Sequence, residues 1–146
     1  NNKMKYINVI VCALALSMSF AAANAVAAGA SAAKEKLVMQ VSDADPAKWN
    51  LALNNAKNVQ QAYGADNVEV EIVVYGPGIS MLKSDSISAN RIEEAKLANI
   101  TILACENTMK NNKLTKDDML PNTSYVAVGV AEIIKKQREG YAYVRP

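Results

Sequence analysis

Ile100-Thr101-Ile102-Leu103-Ala104-Cys105-Glu106-Asn107-Thr108-Met109-Lys110 decides how this 146-residue chain is read. An apolar, strand-like run ends on a thiol, and a polar segment suited to opening a helix follows at once. In an α/β fold that junction is where a side chain leaves the sheet for solvent and where unpaired backbone N–H groups gather.

The rest of the chain repeats the alternation. Residues 36–41 read as a strand ending at Ser42-Asp43; Asp45 then offers a cap, and Pro46 suits a first helical turn. Trp49, Leu53, Ala56, Val59 and Tyr63 recur at three- and four-residue spacing, which predicts one apolar stripe on a helix stopped by Gly64. Residues 68–75 alternate and then turn wholly apolar, as a strand entering a covered sheet does. Gly76-Pro77-Gly78 breaks that strand. A short helical turn at 79–82 follows, then a helix over 88–99 with Ile92, Ala95 and Leu97 inward, then a strand over 100–105. Beyond the thiol, short helical pieces are expected at 107–113 and 115–120, the second capped by Thr115. A strand at 124–128, a helix at 130–139 stopped by Gly140, and a strand at 141–144 complete the series. Such β-α-β units with short loops predict a three-layer α/β/α sandwich around a mainly parallel, five-stranded sheet.

Residues 1–27 read as a secretory signal peptide. Lys3 and Lys5 form its basic end, residues 6–20 its apolar core, and Ala23-Asn24-Ala25 and Ala25-Val26-Ala27 offer small-x-small cleavage sites. Met4 is the expected initiator. Cleavage would leave one α/β domain over 34–146, periplasmic or secreted, with no stable membrane anchor. The competing reading is an uncleaved anchor, since no charge falls between Tyr6 and Ala33. The Ala, Gly, Ser and Asn of its second half are weak drivers of insertion.

The chain carries 16 Lys+Arg against 14 Asp+Glu, and removal of Lys3 and Lys5 balances the two. No nucleic-acid partner is expected from such a surface, nor from its sparse aromatic residues. There is no histidine, which excludes imidazole catalysis within one chain, Ser-His-Asp and Cys-His pairs included. Cys12 lies in the segment expected to be removed, so Cys105 is the single mature thiol. Neither an internal disulfide nor a zinc site of the usual kind is expected, and no Asp-rich calcium loop is visible. No cofactor and no metal are predicted.

In a parallel sheet the carboxyl ends of the strands share one rim, and chemistry collects there. The candidate site is therefore Cys105, with Asp43, Gly76, Gly78, Asn107, Thr108 and Gly129 as pocket and supporting residues. A thiol under a helix N-terminus is favoured as the nucleophilic thiolate; Lys110 adds to this and Glu106 opposes it. The alternative is a buried structural cysteine, and spacing leaves both open. Gly76-Pro77-Gly78 lacks phosphate-loop spacing and reads as a tight turn. Asp43 and Asp45 read as turn and cap residues before they read as an acid–base pair. Tyr141 and Tyr143 read as edge-strand packing or a subunit contact.

Ala104-Cys105-Glu106-Asn107-Thr108-Met109-Lys110, Leu120-Pro121, Gly129-Val130-Ala131-Glu132-Ile133-Ile134 and Gly140-Tyr141-Ala142-Tyr143-Val144-Arg145-Pro146 together resemble the DsrE/DsrF-like family. The similarity spans residues 34–146 and is greatest to a branch with a Cys-x-Asn-Thr segment and a Gly-Trp/Tyr-Ala-Tyr-x-Arg-Pro ending. It implies a compact α/β/α domain that assembles into homo- or hetero-oligomers, often trimers or hexamers. In the sulfur-relay members a cysteine accepts persulfide sulfur and passes it to a partner protein. By position, that role falls on Cys105, with a sulfur donor or acceptor protein as its partner. Those relay members are cytoplasmic, whereas this chain reads as exported. The expected function is that of an exported sulfur carrier of sulfurtransferase type, or of a thiol-redox protein, and whether it is an enzyme stays open. The alternative is a non-catalytic oligomeric module for ligand binding or assembly, with Cys105 only lining its pocket.

Overall fold

Asp45 accepts a hydrogen bond from the Ala47 N–H at 2.9 Å, and Pro46 fills the first turn, so cap and ring fix where the first helix begins. The computed structural model describes residues 33–146; the segment read as a signal peptide, residues 1–27, and Cys12 lie outside the described residues. In chain order the elements are β1 (Glu35–Val41), α1 (Pro46–Tyr63), β2 (Val68–Val74), a 3-10 segment (Gly76–Leu82) and α2 (Ala89–Leu97). They continue with β3 (Thr101–Cys105), α3 (Glu106–Asn111), β4 (Ser124–Val126), α4 (Gly129–Arg138) and β5 (Ala142–Val144).

The strands form one five-stranded sheet in the order β4-β3-β2-β1-β5, and every pairing is parallel. From β1 to β4 the chain steps outward in one direction. It then crosses back over the sheet to place β5 beside β1. Right-handed crossovers put a reversed connection on the opposite face, and the packing follows that rule. Trp49, Leu53 and Ala56 of α1, Ile92 and Ala95 of α2 and Met109 of α3 join the large core on one face, with Met39, Ile72 and Ala104 from the sheet. Ile133 of α4 packs on Val38 and Val73 on the other. The result is the expected α/β/α sandwich, with α4 as its second outer layer among the described residues.

Three local expectations are corrected. Leu97 is 77% exposed, because α2 ends there and Ile92 and Ala95 alone occupy its inward stripe. Residues 115–120 make only a single 3-10 turn, Lys116–Asp118, since Leu120 donates its N–H to the Leu82 carbonyl and Met119 bridges Lys83 instead of continuing a helix. The fourth strand stops at Val126, where the Ala127 carbonyl turns to accept the Asn107 N–H at 3.0 Å.

Candidate functional site

The carboxyl end of β3 leads to α3 on one face, and that of β4 leads to α4 on the other. Between these two ends lies the switch point of the sheet, the crevice where open α/β sheets place their ligands. Cys105 ends β3 and Gly129 opens α4. The Gly129 N–H, one of the unpaired donors of that helix, points at Cys105 Sγ at 3.3 Å. Gly129 packs closely against the sheet here. A Cβ on it would stand 3.2 Å from both Tyr75 Cβ and Val73 Cγ1, so these side chains or the helix end would have to give by a few tenths of an ångström.

A second donor comes from α3. The Thr108 hydroxyl accepts the Gly76 N–H at 2.9 Å, which leaves its own proton free for the sulfur. Gly76 is in the left-handed region, φ 54°, where a glycine is at ease. Burial pushes the Cys105 thiol up, but hydrogen bonds from the Thr108 hydroxyl, the Gly129 N–H and the Thr108 N–H outweigh it, so the thiol lies below its ordinary value. The Asn107 N–H also faces the sulfur but is already committed to Ala127, so its share is smaller. Hydrogen bonds lead here, not a neighbouring lysine. Cys105 is 3% exposed.

Gly76, Thr108 and Gly129 thus meet at the thiol, and Asn107 braces the two strand ends. Gly78 contributes indirectly. A Cβ there would lie 2.5 Å from the Val41 carbonyl oxygen, so only glycine lets the 3-10 segment press on the end of β1. Asp43 stands apart, two strands away. Its carbonyl accepts the Trp49 Nε1–H at 2.7 Å, and its carboxylate lies 3.6 Å from Arg145.

Sequence reading missed Tyr75. Val74 pairs with Ala104, and Tyr75 stays extended, so Tyr75 and Cys105 are lateral neighbours on the α4 face. The alternation Glu69-Glu71-Val73-Tyr75 marks that face, but the register with β3 is not legible in sequence. Three surface hollows of about 300, 520 and 420 Å³ lie elsewhere, and none is lined by Cys105. Among the described residues, no group of three or more Cys, Asp and Glu is placed to hold a metal ion, and no helix is long and apolar enough to cross a membrane.

Fold and site together define an open, all-parallel α/β domain with one thiol set at its switch point. The chain belongs to the DsrE/DsrF-like family, whose model matches residues 14–146. It is similar to a solved structure of a protein of unknown function from Methanobacterium thermoautotrophicum, with 28% identity and a TM-score of 0.73, over 77% of this chain and 100% of that one. A conserved protein of unknown function from Bacteroides thetaiotaomicron shares the fold, with 16% identity and a TM-score of 0.63 over 77% and 95% of the two chains. No curated protein matches the chain.

Proposed function

We propose that this protein carries sulfane sulfur on Cys105, as an exported oligomer that takes sulfur from a donor and yields it to a partner thiol. One observation carries the reading: the Gly129 N–H, an unpaired donor of α4, points at Sγ at 3.3 Å, and Thr108 of α3 is among the groups that hold the thiol below its ordinary value. Fixed dipoles aimed at one atom stabilise negative charge there, and both a thiolate and a persulfide need that. Family membership supports the same chemistry.

In the proposed step the Cys105 thiolate attacks the terminal sulfur of a persulfide, R–S–SH. A new S–S bond forms, the old one breaks, and R–S⁻ leaves; no external oxidant or reductant enters. Loading extends the side chain by one S–S bond, about 2 Å. Export rests on the basic, apolar and small-residue pattern of residues 1–27. N-terminal sequencing of the exported form is expected to begin near Val26 or Ala28; a membrane-bound product with residues 6–20 intact would mean an anchor.

A second reading keeps Cys105 as a packing residue, and its 3% exposure favours it. Mass spectrometry after incubation with a persulfide donor separates the two. Wild type should gain one sulfur and Cys105→Ser none. A thiol that stays unmodified, and alkylates only on unfolding, would sink the carrier reading.

A further inference from the structure

Two hydrogen-bonded bridges tie α1 to α2 and leave a trough between them. At one end Arg91 of α2 donates from Nη1 to Asn50 Oδ1 at 2.8 Å and from Nη2 to Asn54 Oδ1 at 2.6 Å. Asn50 and Asn54 are one turn apart, so both lie on the same side of α1. At the other end Gln60 of α1 donates from Nε2 to the Ala98 carbonyl, just past α2, at 2.7 Å. From Asn54 to Gln60 the helix rises roughly 9 Å, which sets the length of the trough. Its floor is apolar, made of Leu53, Ala95 and Ile100 from the edge of the large core. This is the hollow of about 520 Å³, on the face of the sheet opposite α4.

We propose that this trough binds a medium-chain alkyl carboxylate, with the chain on the Leu53, Ala95 and Ile100 floor and the carboxylate on Arg91. An apolar hollow with a few oriented polar groups is the usual form of a small-molecule site. Both acceptors of Arg91 are neutral amides, so they orient the guanidinium without cancelling its charge. The fork has more N–H donors than the two amides occupy, and the rest are left for an anion. Lys57 adds a second cation to the lining, and Glu94 is its one acid, so the balance is positive. Glu94 stands one turn along α2 from Arg91 and opposes a second negative charge, which favours a monocarboxylate over a dicarboxylate. The trough is not lined by Cys105, so the proposal is independent of the sulfur-carrier reading.

The test titrates the full, isotope-labelled chain with octanoate and, separately, with octylamine, and follows backbone amide shifts by NMR. Octanoate should give saturable shifts centred on Leu53, Lys57 and Ala98, with an affinity about tenfold or more above that of octylamine. Arg91→Gln removes the cation and keeps an amide that can meet the asparagines. It should weaken octanoate about tenfold or more. Ala98→Phe, at an exposed position, fills the trough with Arg91 intact and should abolish the shifts. Should Arg91→Gln not fold, Ala98→Phe decides alone. Octanoate affinity unchanged in either variant overturns the proposal. So do shifts that centre elsewhere or do not saturate, and octylamine bound as tightly as octanoate.

Discussion

The Lys136 ammonium lies 3.4 Å from Glu71 Oε2 on the α4 face of the sheet, while the other oxygen of that carboxylate, Oε1, is buried with no hydrogen-bond partner among the described residues. The pair is lopsided. Burial pushes Glu71 above the ordinary carboxylate range despite the lysine, and Glu132 of α4, a second acid, adds to the rise. Lys136 is also shifted up, since Glu71, Tyr141 and Glu139 together outweigh its own partial burial. The deeper carboxylate is therefore the strained member.

A carboxyl whose folded pKa exceeds its unfolded one binds more protons folded than unfolded. Stability then falls as pH rises from the unfolded value of 4.5 through the folded one, and the loss is complete above it. Glu71→Gln should raise stability at pH 7 by about 1 kcal/mol and flatten this falling limb. Lys136→Met should lower it by about 2 kcal/mol by leaving Glu71 without its cation. Urea melts between pH 4 and pH 8 read both; an equal pH slope in wild type and Glu71→Gln would refute the assignment.

Thr108→Val removes a donor to the thiolate and strips the Gly76 N–H of its acceptor. Iodoacetamide alkylation of Cys105 at pH 7 should slow about three- to tenfold and its pH midpoint should move up, with about 1 kcal/mol of stability lost. An unchanged pH–rate curve would mean that Thr108 does not bond the sulfur.

Two glycines should lose stability on gaining a side chain, for different reasons. Gly78→Ala meets backbone that cannot yield, so about 2 kcal/mol or more should be lost in denaturant melts. Gly129→Ala meets Tyr75 and Val73 and should cost about 1–3 kcal/mol. Only the second should also slow alkylation of Cys105, because it alone moves a donor off the sulfur.

The proposed assembly has a surface to test. Val130 and Ile134 share one flank of α4, Val128 precedes it, and Tyr143 and Val144 lie on the edge strand; all five stay exposed. Apolar groups left wet on α4 and at the sheet edge suit a subunit contact. Light scattering should give a mass above the monomer for wild type and a monomer for Val130→Asp/Ile134→Asp. A concentration-independent wild-type monomer would remove the contact.

Much of the frame was written locally. Asp45, Pro46 and Gly64 marked both ends of α1, and the apolar run into Cys105 marked β3 and its rim position. What stayed hidden was set by distance. No spacing tells that Gly129, rather than the helix following Cys105, supplies the 3.3 Å donor, because that contact depends on which way the chain crosses the sheet. Tyr75 looked like the last residue of a strand, and only the register of β2 with β3 makes it a neighbour of the thiol. Leu97 followed the helical period but fell where the helix had already ended.

Tyr143 and Gln40 lie 103 residues apart in sequence, yet their bond joins β5 to β1. Closing so wide a loop carries the largest entropy penalty among the strand pairings, so β5 is expected to dock after the other four strands have paired. The Tyr143–Gln40 bond would then be a late arrival on the folding pathway, and a nascent or partly folded chain would hold its thiol before the edge strand is in place. Pulse-labelling hydrogen exchange should find Ala142–Val144 gaining protection after β1–β3; simultaneous protection would count against that order.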